Sequence, residues 1–522
     1  MAAKHGIRRR ELLQAAAAGA ALAALGPRLI WAGEARARGA RPPNILLIIS
    51  DEHNASVTGC YGNATVRTPS MDALASRGIA FDAAYTNSPL CVPCRLSITS
   101  GKYISRTGAW SNDCWLPGDD YPSIARVMTA AGYDSLLCGK MHYDNTRRYG
   151  FTEIGGNMNN SHKTGRGGRR PPDNLAGKGL SARFSDFRVA ERCAHQAHDG
   201  AVTAGVSQFL AERKRSDKPF FLIAGYLAPH FPLIIPQAYH EPYRGKVPMP
   251  NIPPGFLDGM PLNYKHLRAG FQMTDVPDDV VRKGRELYYG LTQWVDEEIG
   301  KTLKALADSP VADNTVVIYT TDHGENMGEH GLWWKNCVYD TAARVPLIVS
   351  WPERWKGGQR RGGACALVDV VKTIAEIAGG TTPDDWNGTS LCAWMDDPKA
   401  AWKDLAVSEY YAHNIASGYT MLRRGNFKYV YHTPPDAQHP AQRELYDLAA
   451  DRAEFANLAA RPEQKDRVDA MHAMLLKEVG EDPNETEQRC RADYAKGYGR
   501  DPAKGAGDGG GKKAKRKAAA QT

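Results

Sequence analysis

Residues 44–50 read NILLIIS, and this apolar run ends at Asp51, Glu52 and His53. An apolar run without polar alternation is typical of a strand that is buried on both faces of a parallel sheet. Similar runs are YDSLLC (133–138), FFLIAGY (220–226), TVVIYTT (315–321) and VPLIVS (345–350). Helical patterns occur between runs, including MDALASRG (71–78), YPSIARVMTAAG (121–132) and RKGRELYYGLTQWVDEEIGKTLKALA (282–307). The alternation predicts an α/β fold, a large, mostly parallel sheet sandwiched by helices.

Polar side chains follow four of these runs at the point where each strand should end. A helix cap explains any single Asp or His at such a position, but not their repetition after separate strands. Because ligands bind beyond the carboxyl ends of parallel strands, the sequence predicts a site at this edge. The residues are Asp51, Glu52 and His53, then Gly139, Lys140 and His142, then Pro229 and His230, then Asp322, His323, Gly324 and Glu325.

The chain divides by composition into four segments. Residues 1–41 contain the pair Arg8–Arg9, a short Ala-rich run and small residues near Ala37, the pattern of a twin-arginine (Tat) signal peptide. We expect a catalytic α/β domain over 42–385 and a smaller C-terminal α+β subdomain over 386–490. A basic low-complexity tail occupies 491–522. The signal predicts export to the periplasm or the medium.

The net charge of +8 does not indicate a nucleic-acid or membrane partner. Most of the positive charge lies in the two terminal segments, so the body between them is slightly acidic. Apolar runs after the signal are too short for a membrane helix, which predicts no stable membrane insertion.

The stretch CVPCR (91–95) admits two interpretations. As CxxC, Cys91 and Cys94 would be a redox dithiol or half of a zinc site. Read as CxPxR, the motif would make Cys91 alone functional, as a residue that is chemically converted before use. A zinc site needs a second Cys pair at ligand spacing, and the ten cysteines offer none. Their scatter along a large chain favours free, buried thiols.

The motifs together resemble the formylglycine-dependent sulfatase family. LCVPCRLSITSGKY (90–103) is similar to its CxPxR signature, and AAGYDSLLCGKMHY (130–143) is similar to its second signature, GYxTxxxGKxH. The resemblance covers about residues 43–475 in the right order, and GKMHYDN and DHGENMGEHGLWWK resemble the choline-sulfatase-like branch. It implies an alkaline-phosphatase-like fold and hydrolysis of a small-molecule or saccharide sulfate ester. Cys94 departs from the usual Ser.

The resemblance also implies a mechanism and residue roles. A formylglycine-generating or sulfatase-maturing enzyme would oxidise Cys91 to an aldehyde, whose hydrate attacks sulfur with help from a metal. Carboxylates with one imidazole suit a hard cation such as Ca²⁺. The implied ligands are Asp51, Asp322, His323 and converted Cys91, with Glu52 as a further candidate. Arg95 would anchor the formylglycine, Lys140 and Lys335 would hold sulfate, and His142 and His230 would handle protons.

Other interpretations stay open at the level of sequence. The same site could serve a phosphonate monoester or phosphodiester hydrolase, and an unconverted protein would be a binding module for sulfated ligands. Aromatic residues could form a cage for a cationic substrate or belong to the core; they are Trp115, Trp333 and Trp334. A Gly- and Arg-rich loop (155–190) could meet an anionic sugar or be a solvated loop; the residues that would meet it are the cluster Arg166, Arg169 and Arg170.

Overall fold

The computed structural model describes residues 41–156, 158–159, 168–177 and 179–497. The predicted signal peptide up to residue 40, the tail from residue 498 and Arg166 lie outside the described residues. The part of the chain from Pro43 onward forms one compact unit.

All five apolar runs form strands, and further strands accompany them. The strands are β1 Asn44–Asp51, β2 Ile79–Tyr85, β3 Asp134–Gly139, β4 Thr152–Glu153, β5 Arg188–Val189, β6 Phe220–Pro229, β7 Ile234–Ile235, β8 Thr315–Thr321, β9 Arg344–Val345, β10 Leu347–Ser350, β11 Gln359–Ala366, β12 Leu405–Tyr410, β13 Tyr419–Arg424, β14 Phe427–His432 and β15 Gln442–Asp447.

The helices include the three predicted from periodicity. They are α1 Pro69–Ser76, α2 Cys91–Ser100, α3 Ile104–Thr107, α4 Ile124–Ala130, α5 Ala194–Glu212, α6 Gln237–His240, α7 Phe256–Gly259, α8 Leu262–Gly270, α9 Asp278–Ala307, α10 Asp340–Ala343, α11 Leu367–Ala378, α12 Cys392–Asp396, α13 Lys465–Val479 and α14 Pro483–Ala495.

The central sheet has the order β11-β2-β10-β8-β1-β6-β3-β4, and β9 pairs with β2. Strand β1 is parallel to β8 and β6, and β3 is parallel to β6. The run VPLIVS was expected to join the parallel set, but β10 is antiparallel to both of its neighbours. The prediction of a mostly parallel sheet is confirmed, with β10 and the short β9, which is antiparallel to β2, as the exceptions.

Both faces of the sheet are buried, which explains the apolar runs. In β1, Leu46 and Ile48 belong to one hydrophobic cluster, whereas Ile45, Leu47 and Ile49 belong to another. Helices α5 and α9 pack together and against β6, while α2 and α4 pack against α11. Helix layers therefore cover the sheet as the βα alternation predicts.

The C-terminal part is an antiparallel sheet in the order β12-β13-β14-β15, followed by α13 and α14. Strand β12 contacts β2 and β11, so the small sheet packs directly on the large one. The expected α+β character is confirmed. Helix α14 runs to Ala495, past the predicted boundary at residue 490.

Two further features bear on the sequence analysis. All ten cysteines are free, and Cys91 and Cys94 are both buried. Among the described residues, no helix is long and apolar enough to cross a membrane.

Candidate active site

The polar strand ends meet at one edge of the central sheet. Asp51 ends β1, Lys140 follows β3, His230 follows β6, and Asp322 and His323 follow β8. Strands β8, β1, β6 and β3 are consecutive and parallel, so their carboxyl ends lie side by side. The sequence argument from strand ends therefore leads to a real cluster.

Cys91 is the first residue of α2, with Leu90 as the N-cap, and its side chain is buried at this edge. Its Sγ lies 3.2 Å from Nε2 of His323 and 3.9 Å from Oδ1 of Asp51. Burial, with the negative charge of Asp51, raises the pKa of the Cys91 thiol to about 12. The group is therefore a protonated thiol at neutral pH and not a reactive thiolate.

Arg95 lies one helical turn after Cys91 and is fully buried. Its Nη2 donates to Oδ2 of Asp51 and its Nε to Oδ2 of Asp322, each at 2.8 Å. Nη1 donates to the backbone oxygen of Lys140 at 2.7 Å. The guanidinium thus joins three strand ends, and it leaves Oδ1 of each aspartate facing the Cys91 side.

Four residues offer ligand atoms that lie within 4.8 Å of one another; they are Asp51, Cys91, Asp322 and His323. Nδ1 of His323 lies 3.1 Å from the backbone oxygen of Gly324, a contact that requires a proton on Nδ1. Nε2 then carries the lone pair, and it points toward Cys91. Two carboxylate oxygens and one imidazole nitrogen fit a hard divalent cation.

Glu52 belongs to a second, adjoining group with Asp51 and His230. Its Oε2 lies 2.8 Å from Nζ of Lys335 and 3.1 Å from Nε2 of His230. Burial, reinforced by Glu325 and opposed by Lys335, raises the pKa of Glu52 to about 8. Glu52 is thus not one of the four converging residues.

Two lysines supply positive charge around these acids. Nζ of Lys140 lies 2.5 Å from Oδ2 of Asp51. Although burial opposes it, the charges of Lys140 and Arg95 hold the pKa of Asp51 well below its usual range. Despite its own burial, the pKa of Lys335 is raised by the acidic groups near it, Cys91 and Glu52 first.

Two of the predicted strand-end histidines, His53 and His142, lie outside the group of four residues whose ligand atoms converge. His53 turns inward, where its ring contacts the Tyr319 hydroxyl at 2.5 Å and the Val57 carbonyl at 3.0 Å, and burial lowers its pKa to about 4. It is a core histidine. His142 is buried next to the Lys140–Met141 segment, and its backbone N–H donates to Asn159 at 3.1 Å. Its role in proton transfer stays a prediction.

The tryptophans and arginines that were candidates for substrate contact differ in burial and in hydrogen-bond partners. Trp333 and Trp334 are buried in the hydrophobic core, whereas Trp115 is partly exposed. Arg169 pairs with Glu487 at 3.0 Å, and Arg170 donates to the backbone oxygens of Asn174 and Ala176. Of the three arginines proposed to meet an anionic sugar, the two that the structure describes, Arg169 and Arg170, are therefore engaged within the protein.

Supporting residues that carried no predicted role also appear. Oε1 of Glu325 accepts from the backbone N–H of Met327 at 2.9 Å and of Trp334 at 2.5 Å, which fixes the loop leading to Lys335. On α5, Asp199 accepts from two backbone N–H groups at the end of β6, Leu227 at 2.7 Å and Ala228 at 3.1 Å. An aspartate within a helical segment is the sequence feature that could have identified Asp199 as a supporting residue.

Comparison with known proteins defines the class. The family model described as "Sulfatase" matches residues 43–380, and the one described as "N-sulphoglucosamine sulphohydrolase, C-terminal" matches residues 328–481. The first match spans more than half of the chain, so the protein belongs to the sulfatase family and is a sulfuric ester hydrolase.

Individual relatives agree with this assignment. The choline-sulfatase of Rhizobium meliloti is 28% identical over 444 residues, covering 80% of this chain and 83% of the relative. The phosphonate monoester hydrolase of Agrobacterium radiobacter superimposes with a TM-score of 0.68 at 21% identity, covering 83% and 95% of the two chains. A structure in complex with its substrate D-glucosamine-2-N,6-O-disulfate gives 0.66 at 21% identity, covering 85% and 100%. These likenesses confirm the alkaline-phosphatase-like fold.

Proposed function

We propose that this sulfatase hydrolyses its ester with the hydrate of a formylglycine formed from Cys91, next to one bound Ca²⁺. The observation that carries the proposal is the convergence of Cys91 with Asp51, Asp322 and His323 within 4.8 Å. A buried thiol with a pKa of about 12 is a poor nucleophile, so Cys91 as such does not explain hydrolysis. A hydrated aldehyde at the same position supplies a hydroxyl nucleophile.

The metal would be held by Oδ1 of Asp51, Oδ1 of Asp322 and Nε2 of His323, with position 91 beside it. Its chemistry there would be to lower the pKa of a bound hydroxyl and to polarise a sulfate oxygen. Arg95 orients both carboxylates through its two 2.8 Å contacts.

The lysines neutralise charge that develops on the sulfate oxygens. Lys140 and Lys335 stand on either side of Asp51 and Glu52, with their ammonium groups bound to those acids. A sulfate ester anion entering the site would offer Lys335 a stronger partner than Glu52, whose charge is disfavoured by burial. Lys335 would then release His230.

His230 is the residue best placed to move a proton at the leaving oxygen. Its Nδ1 contacts the backbone oxygen of Phe231, which leaves Nε2 directed toward Glu52 and Lys335. Burial and the charge of Lys335 lower the pKa of His230 well below its usual value. Release of Lys335 would raise that pKa and let Nε2 carry the proton that the leaving alcohol takes up.

We further propose a saccharide sulfate as substrate. A structure of the same fold contains D-glucosamine-2-N,6-O-disulfate, and another contains a neocarrahexaose. The chain would reach the periplasm or the medium by its twin-arginine signal, after a formylglycine-generating or sulfatase-maturing enzyme has acted on Cys91.

Mass spectrometry tests the conversion directly. The peptide that contains position 91 should be about 18 Da lighter than the unmodified peptide when the protein is produced with a maturing enzyme. Sulfate release should increase with the converted fraction and vanish in Cys91→Ala. Full activity in unconverted protein would contradict the mechanism.

A second assay addresses the phosphonate alternative. One chromogenic alcohol, presented as a sulfate ester and as a phosphonate monoester, should give the higher kcat/KM as sulfate. A strong preference for the phosphonate would overturn the proposed substrate class while leaving the site intact.

A further inference from the structure

Arg183 lies beside the proposed sulfate site on a short 3₁₀ helix, Ala182–Asp186. Its guanidinium carbon is 4.8 Å from the ring centre of Trp334 and 5.5 Å from that of Phe231. These two aromatic residues adjoin Lys335 and His230 in the chain. The guanidinium therefore contacts the rings of two residues that are next in sequence to Lys335 and His230 of the active site.

Within the described parts of the chain, no carboxylate lies within ion-pair distance of Arg183, although the residue packs on three rings, the third being Phe271 at 5.5 Å. Arg188 on the same segment does have a partner, Asp186, at 3.2 Å. An arginine stays protonated, and contact with aromatic rings leaves the guanidinium N–H groups available for an anion. Burial lowers the pKa of Arg183, whereas the negative charges of Glu52 and Glu325 raise it. Both acids therefore act on the guanidinium charge.

His413 approaches the same place from the loop between β12 and β13. Its ring is 5.8 Å from that of Phe271, so it shares an aromatic neighbour with Arg183. Burial and the positive charges of Arg183 and Lys335 lower the pKa of His413 to about 4. The imidazole is therefore neutral at pH 7 and can donate one hydrogen bond.

This arrangement opposes a cationic substrate. The faces that a quaternary ammonium group would need on Trp334 and Phe231 lie under the Arg183 guanidinium. Like charge adds repulsion from both Arg183 and Lys335. A negatively charged group instead gains a charge-assisted bond to Arg183 without breaking an existing ion pair.

We infer that Arg183 and His413 form a subsite for a second anionic group, a carboxylate or a sulfate, on the saccharide that carries the scissile ester. This inference rests on the proposed function, because it assumes that the ester sulfate occupies the site between Lys140 and Lys335. Arg183 would be a specificity-determining residue, which acts on substrate choice and not on the chemical step.

The test compares ligands that differ in one negative group. The probes are N-acetylglucosamine 6-sulfate, glucosamine 2-N,6-O-disulfate and a monosulfated uronic acid. Binding is measured by calorimetry in Cys91→Ala, which cannot turn over, and kcat/KM for sulfate release is measured in the converted enzyme. We expect Arg183→Gln to weaken binding of a doubly charged probe about tenfold or more and that of the singly charged probe less than about threefold.

Matched variants complete the design. Arg188→Gln removes a nearby exposed arginine and should leave both affinities unchanged, and His413→Ala should show a smaller loss in the same direction as Arg183→Gln. The uronic acid and the disulfate distinguish a carboxylate from a sulfate as the second group.

Equal affinity for singly and doubly charged probes, no binding of the doubly charged probes, or an equal loss on all probes in Arg183→Gln would overturn the subsite. Charge-selective binding in Cys91→Ala without sulfate release by the converted enzyme would count against the proposed function alone.

Discussion

The ammonium group of Lys335 lies 2.7 Å from Nε2 of His230, in an active site where both also contact Glu52. The ammonium can only donate, so Nε2 must accept and the imidazole must be neutral. Lys335 thereby prevents Nε2 of His230 from carrying a proton until another anion draws the lysine away.

Removing this lysine should change the titration of His230. In Lys335→Met, Glu52 at 3.1 Å and Asp51 at 3.7 Å remain next to Nε2, so the pKa of His230 should rise. NMR titration of ¹³C-labelled histidines in the Cys91→Ala background measures it. The exposed His439, bound to Asp436, serves as the internal control. An unchanged or lower pKa of His230 would refute the role given to Lys335, whose loss should also reduce kcat/KM about 100-fold or more.

Calcium should stabilise the protein through the four-residue cluster. A ligand at about 100 times its Kd adds about 2.7 kcal/mol to the free energy of unfolding, so Tm should rise with Ca²⁺ and fall with chelator. Asp322→Asn should remove this response, because it withdraws charge from Oδ1. Asp134→Asn, at the opposite end of β3 and paired with Arg213, should retain it. A calcium response that persists in Asp322→Asn would mean that the cation binds elsewhere.

Cys94→Ser should retain both the aldehyde at position 91 and the activity. The Cys94 side chain is buried within α2, where a serine hydroxyl can bond to the carbonyl of the preceding turn, as Thr99 and Ser100 of the same helix do. The cost in unfolding free energy should stay near 1 kcal/mol. Peptide mass spectrometry and thermal unfolding measure the two effects. Loss of conversion with an unchanged Tm would assign Cys94 a part in maturation.

Glu409 should make the stability depend on pH. Burial raises its pKa from 4.5 to about 7, and Oε1 has no hydrogen-bond partner within the structure, although Oε2 accepts from Ser105 at 3.0 Å. The folded protein therefore binds this proton more tightly than the unfolded chain. Its contribution is fully present below pH 4.5 and is lost as the pH rises to about 7.

Replacement by the neutral isostere isolates this effect. Relative to wild type, Glu409→Gln should gain about 1 to 3 kcal/mol of unfolding free energy between pH 4.5 and pH 8. Urea unfolding at several pH values measures the difference. A constant difference across this range would show that Glu409 titrates normally.

The strand ends were predictable because a buried parallel strand has a clear signature and its carboxyl end has a fixed place. Asp51, Lys140, His230 and Asp322 each follow such a run, and the structure brings them together. The direction of β10 was not predictable, since an apolar run is buried equally well in either orientation. Strand β2 escaped notice because Asp82 interrupts IAFDAAY; Asp82 accepts from Nε of Arg360 at 2.8 Å.

The neighbours of the site were harder to predict than its centre. Glu52 was a candidate ligand and joins Asp51 and His230 in a second group that could hold a cation, but its contacts with Lys335 and His230 come from distant segments. Arg183 lies on a short 3₁₀ helix and His413 in a loop, both without apolar periodicity, and only the packing of Trp334 and Phe271 brings them near each other. Such contacts depend on tertiary structure and leave no local signal.

Cys91 is about 1% exposed in the folded protein. Under the proposed mechanism, a maturing enzyme would therefore reach Cys91 only while the chain is still unfolded, and a molecule that folds first would stay inactive. The active fraction of a preparation would then depend on how fast Cys91 is oxidised relative to how fast the chain folds during synthesis. Slower synthesis or a more abundant maturing enzyme should raise specific activity, whereas later treatment of folded protein should not.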